Sequence, residues 1–197
     1  MFALSDRRFR LITIIVFAVL WLYLIIRSNT VFYIHDELVT KWAYMVEWNF
    51  RPYQGYIDAN NHFLNSFFGG LFIRLFHSDA IWIVRLPNLL FFPLFYWSLV
   101  AHKRFYKHRV SIFTLLAGLS GCTFIFEYFG LARGYGMSMA LLVFALLQLK
   151  ILIVDRQYKN LLLLVLALTL AIYSTLSFLL FALLSLSILL FLFVMRR

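Results

Sequence analysis

Apolar runs alternate with short polar or basic breaks along this chain, and the run lengths predict membrane-crossing helices. A crossing needs ~20 residues at ~1.5 Å each to span a hydrocarbon core roughly 30 Å thick. The first run, Leu11 to Ile26, follows Arg7, Arg8 and Arg10 and ends at Arg27-Ser28-Asn29-Thr30. No small-x-small cleavage site follows it, so it is expected to be a retained helix starting on the cytoplasmic side. The long polar segment from Ser28 to His62 then falls outside. Within it, Glu37 to Trp48 spaces Leu38, Trp42, Met45 and Val46 as a helix lying in the interface would. Arg51-Pro52-Tyr53-Gln54-Gly55 breaks that helix.

Phe63 to Phe76 is only 14 residues long, short for a crossing, and predicts a re-entrant or tucked helix. Ala80 to Ala101 is a full span, followed by the densest basic loop, His102-Lys103-Arg104-Phe105-Tyr106-Lys107-His108-Arg109. That loop belongs inside, as it does if Phe63 to Phe76 dips in and returns. Ser111 to Phe126 then rises, Glu127 to Gly134 lies outside, Tyr135 to Val154 descends, and Asp155 to Lys159 lies inside. Asn160 to Tyr173 and Leu176 to Val194 form a last pair that turns outside at Ser174-Thr175 and ends at Arg196-Arg197. The expected fold class is an all-α polytopic membrane protein. It has about six transmembrane helices, an outer interfacial helix and a short re-entrant or tucked helix.

Composition agrees with that class. Apolar residues make up 64% and charged residues 13%, with a mean hydropathy of +0.89, beyond the roughly half-apolar make-up of a soluble domain. The net charge of +10 is gathered in short clusters between apolar runs. This is positive-inside topology, and it argues against nucleic acid as a partner. Cys122 is the single cysteine, so an intrachain disulfide is excluded; inside an apolar run it is expected to be a buried, inert thiol. There is no Pro-, Gly- or Ser-rich linker and no internal repeat, so residues 1–197 read as one module.

The expected topology puts Asp36, Glu37, Asp58, His62, Arg85, Glu127 and Arg133 on, or within a turn of, the outer face. Carboxylates there can take a proton from an acceptor or hold a metal, and arginines can meet phosphate charge. Each residue also has a plainer reading. Arg85 can snorkel to the interface, Glu127 can pair with Arg133, and Asp58 with Asn60-Asn61 can simply form a turn. Asp36-Glu37 can cap the interfacial helix and offset its dipole. His35, His62 and His77 lack an i,i+4 metal spacing, so no dedicated metal site is expected, although a divalent cation as cofactor stays open.

The order of these motifs resembles a known family. A first span precedes Asp36-Glu37, and Ala59-Asn60-Asn61-His62-Phe63-Leu64-Asn65 opens the short helix. Ile83-Val84-Arg85-Leu86-Pro87-Asn88-Leu89-Leu90 and Glu127-Tyr128-Phe129-Gly130-Leu131-Ala132-Arg133-Gly134-Tyr135 follow. The chain resembles the N-terminal part of the GT-C glycosyltransferases, in the protein-mannosyltransferase and aminoarabinose-transferase-like branch. The resemblance implies an enzyme of the cell membrane with an extracytoplasmic site. Such an enzyme passes a sugar from a polyprenyl-phosphate donor to a glycan, lipid or protein acceptor of the envelope, with inversion. It implies catalytic roles for Asp36 and its neighbour Glu37, and donor-phosphate roles for His62, Arg133 and Arg85. Asp58 and Glu127 are further candidates. Relatives often carry prolines where His62 is followed here by Phe63-Leu64. Relatives are also longer, so the chain is expected to be a portion of a larger catalytic domain. The alternatives are an inactive fragment or membrane scaffold, and a transporter component. A transporter needs mid-membrane polar groups, of which the later spans show only Gln148, Thr169 and scattered serines.

Overall fold

A computed structural model describes residues 6–49, 62–106, 118, 122–155, 157 and 159–194. The described residues are helical, with no strand among them. Among the described residues, three helices are long and apolar enough to cross a membrane: Arg7–Thr30, Ile81–Phe105 and Tyr135–Asp155. The helices are α1 (Asp6–Thr30), α2 (His35–Val39), α3 (Phe63–Phe76), α4 (Ile81–Ala101), α5 (Thr123–Phe129), α6 (Tyr135–Asp155), α7 (Lys159–Ser174) and α8 (Leu179–Val194). Asp58, Asn60-Asn61, the Arg51 to Gly55 break, most of the expected rise from Ser111, and the terminal Arg196-Arg197 lie outside the described residues.

Aromatic packing joins α1 to α4 in antiparallel fashion. Phe17 stacks on Phe92 with ring centres 6.0 Å apart, and the Tyr96 hydroxyl donates to the Thr13 carbonyl at 2.6 Å. Helix α6 runs parallel to α4: Asn88 meets Met137 near one end, and Arg104 pairs with Asp155 near the other. Helix α7 returns against α6, with Ser138 donating to the Ala171 carbonyl. The core falls into three clusters, one mainly of α1, α4 and α5 around Phe92, one mainly of α3, α6 and α7 around Leu164, and a small one of Met45, Val84 and Ala132. Large apolar side chains also face outward, among them Val19, Leu162, Leu180 and Leu190. An apolar surface of that extent is what a lipid-facing helix presents.

Both ends of α3 meet the same end of this bundle. At its start, His62 lies against Ser174, the last residue of α7. Just past its end, the Asp79 carboxylate takes the Lys41 ammonium at 2.7 Å, and Tyr33 reaches the Asp79 carbonyl. Helix α3 thus lies across the end where α1 finishes and α4 begins.

Helix α2 continues through a wider π-type stretch, Thr40–Val46. Its burial departs from the expected stripe: Met45 is buried, but Leu38 and Trp42 face outward, while Glu37, Thr40 and Lys41 turn in. A bundle in lipid reverses the soluble pattern, because polar groups find partners only inside the protein. Met45 seats over α3 at Gly69, where an added Cβ would come within 2.6 Å of its side chain.

Candidate functional site

The polar groups gathered at this end fall into a buried clamp and an accessible pair. Arg85, in the second turn of α4, is fully buried. Its Nε donates to Glu37 Oε1 at 2.9 Å and its Nη2 to Glu37 Oε2 at 2.6 Å. Its Nη1 donates to the carbonyls of Ser28 at 2.9 Å and Val31 at 2.7 Å, and its Nη2 also reaches Phe32 O at 3.1 Å. A guanidinium has five N–H donors, so every one is engaged. Arg85 therefore does not snorkel: it ties the end of α1 to α2 and α4, and no donor is left for a phosphate.

Glu37 is equally committed. Besides Arg85, its Oε1 accepts the Ala132 N–H at 2.6 Å, and its Oε2 accepts the Ile34 N–H at 3.2 Å. The second contact is the N-terminal capping anticipated for this carboxylate.

Asp36, one residue earlier, points a helical step away from Glu37 and pairs with Arg133 Nη1. Their side chains retain 34% and 16% exposure, so the pair is partly accessible, as are Arg27 with Glu127 and Lys41 with Asp79. The Arg133 guanidinium lies over the Tyr135 ring at 5.2 Å. His62 meets the same ring edge-on at 4.9 Å, so Tyr135 bridges the two.

His62 is 4% exposed. Its Nδ1 faces the Ser174 carbonyl at 3.1 Å, an acceptor only, so Nδ1 carries the proton and donates. Nε2 is then a bare acceptor, buried and without a partner among the described residues. Burial pushes the imidazole down to about 4, helped by the nearby Arg133 charge and opposed by the Ser174 bond and Asp36. A neutral imidazole in this tautomer accepts a hydroxyl proton at Nε2 and does not donate to a phosphate oxygen.

The segment carrying Arg133 is held by residues not singled out in the sequence. Asn88 donates to Leu131 O at 2.9 Å and to Asn65 Oδ1 at 2.7 Å, and accepts the Met137 N–H at 3.0 Å. Asn65 donates to Ala132 O at 3.0 Å. Gly134 passes so close to Ser174 and His62 that an added Cβ would sit 2.9 Å from the His62 Cβ. Ser174 and Ser138 both donate to the Gly134 carbonyl, at 2.7 and 3.0 Å.

Glu127 pairs with Arg27 and not with Arg133, which corrects the ion bridge expected across the loop. Cys122 is exposed, against the expected burial. Among the described residues no cluster of His, Cys, Asp or Glu has the make-up of a metal site. Asp36, Glu37, His62, Arg85, Glu127 and Arg133 all come to one end of the bundle, whereas Asp58 lies outside the described residues.

Fold and site together define an all-helical protein with apolar helices long enough to cross a membrane and a charged cluster at one end. Comparison with protein families, curated proteins and solved structures gives no match.

Proposed function

We propose that this chain is a membrane glycosyltransferase module that moves a sugar from a polyprenyl-phosphate carrier to an envelope glycan, lipid or protein. The observation that carries the reading is the convergence of Asp36, Arg133 and His62, distant in sequence, around Tyr135. In the proposed step the Asp36 carboxylate takes the proton of the acceptor hydroxyl, whose oxygen bonds to the anomeric carbon from the face opposite the carrier. The bond from that carbon to the phosphate oxygen breaks, and Arg133 meets the charge left on the polyprenyl phosphate. His62, buried beneath the pair, packs against Tyr135 and Ser174 and supports the site from behind. Glu37 and Arg85 support the site without touching substrate.

The proposed topology has six crossings: α1, α4, the rise that ends in α5, then α6, α7 and α8, with α3 tucked and α2 at the outer interface. Its support is the sorting of charge. Lys103 lies 4.9 Å over the Phe9 ring near the start of α1, and Arg104 pairs with Asp155, so basic groups collect at the end opposite Asp36. By the positive-inside rule that end is cytoplasmic and the site extracytoplasmic.

The test is a transfer assay in membranes with radiolabelled polyprenyl-phosphate sugars and extracted envelope acceptors. Transfer by the native chain, lost in Asp36→Asn, is the expected result. Full transfer by Asp36→Asn refutes the role of Asp36, and no transfer from a well-folded native chain favours an incomplete fragment or a scaffold.

A further inference from the structure

The peptide units just ahead of Arg133 are held more completely than any turn of that length requires. The unit joining Leu131 to Ala132 has its carbonyl bound by Asn88 and its N–H bound by Glu37. The next unit, joining Ala132 to Arg133, has its carbonyl bound by Asn65. The three side chains come from α4, α2 and α3, and all three are fully buried. They also hold one another, through the Asn88 to Asn65 bond and the Arg85 grip on Glu37.

The direction of the Arg133 side chain is set by the two peptide planes that flank its Cα: the first is the unit held by Asn65, and the second has its carbonyl bound by the Tyr135 N–H. Glu37 to Ala132 and Asp36 to Arg133 are then adjacent rungs between the same two segments. A slip of one residue would turn Arg133 away from Asp36 and strand a buried amide. Leaving such a group unpaired is expensive, whereas each bond made is worth little net, so the network enforces a position more than it adds stability.

We infer that Asn65, Asn88 and Glu37 are positioning residues that set Arg133 against Asp36. The consequence for catalysis rests on the proposed glycosyl transfer; the positioning itself does not. Asn65 is the informative position, because Asn65→Asp keeps an acceptor for Asn88 while it replaces the donor to Ala132 with an oxygen that faces the carbonyl, and Asn65→Ala removes the donor without adding charge.

Disulfide cross-linking reads the geometry without any assay of activity. In the full chain with Cys122→Ser, Asp36→Cys is combined either with Arg133→Cys or with Leu131→Cys, and oxidised with copper phenanthroline in membranes. The 36/133 pair is expected to form its disulfide at least about tenfold faster than the 36/131 pair, and Asn65→Asp or Asn65→Ala to slow it about tenfold. Equal rates for the two pairs overturn the inference, and this comparison needs no Asn65 variant to fold. Unchanged 36/133 cross-linking in a folded Asn65 variant also overturns it. In the transfer assay Asn65→Asp is expected to lose activity together with Arg133→Gln. The expected cross-linking order without transfer by the native chain supports the positioning and refutes only transfer by this chain on its own.

Discussion

Replacing Arg85 with methionine removes the clamp while keeping a side chain of similar reach. The loss has two parts. Glu37, fully buried, loses its counter-charge and two of its four hydrogen bonds, and breaking one partner of a buried ion pair costs about 3–5 kcal/mol. Three carbonyls at the end of α1 also lose a donor. Water can reach Phe32 and, in part, Val31, but Ser28 is buried, so one stranded carbonyl adds about 1–3 kcal/mol. A total of about 4 kcal/mol or more is a large share of the 5–15 kcal/mol, roughly, that holds an ordinary domain together. Reversible unfolding in mixed micelles, followed by tryptophan fluorescence, measures it. Glu37→Gln closes the cycle: the double variant is expected to cost at least about 2 kcal/mol less than the two single variants summed. A loss below about 1 kcal/mol for Arg85→Met, or strict additivity, refutes the clamp.

Two further outcomes follow from the packing beside it. His62 is held neutral, with its folded value near 4 against 6.5 free, so the unfolded chain binds its proton first. Stability is then full above about pH 6.5, falls by about 3 kcal/mol as the pH drops toward 4, and levels off below; pH-dependent unfolding shows this slope, and His62→Asn flattens it. A slope unchanged in His62→Asn rules out this assignment. Gly134→Ala forces a methyl into the Ser174 backbone carbonyl and the His62 side chain and is expected to cost about 1–3 kcal/mol by the same unfolding measurement, whereas Gly118→Ala, with open space around it, is expected to be neutral.

Run length and charge placement carried much of the architecture. Phe63 to Phe76 is a helix with the bounds its apolar run predicted, and Tyr135 opens α6 where the polar loop ends. Six of the seven candidate site residues were grouped correctly at one end because charged side chains near apolar runs have few places to go. Pairing was not legible in the same way. Arg27, Arg85 and Arg133 are equivalent as sequence symbols, and which carboxylate each meets depends on helix rotation. A single step of about 100° separates Asp36 at the surface from Glu37 in the core. The apolar face expected of an interfacial α2 was legible only in part: Leu38 and Trp42 face outward, whereas Met45 packs inward over Gly69. The amides of Asn65 and Asn88 escaped notice because an isolated asparagine in an apolar run has no spacing rule to announce it.

The Arg85 clamp also bears on how the chain is made. Ser28, Val31, Phe32 and Glu37, which together supply all of its acceptors, precede it by 57, 54, 53 and 48 residues. Synthesis runs from the N-terminus, so the whole receptor for this guanidinium leaves the ribosome before α4 does. An arginine entering a bilayer alone costs roughly 2.5–3.5 kcal/mol even by insertion measurements. Here every acceptor, at the end of α1 and in α2, has been synthesised before Arg85 is, so the partners that offset that cost are available when α4 follows.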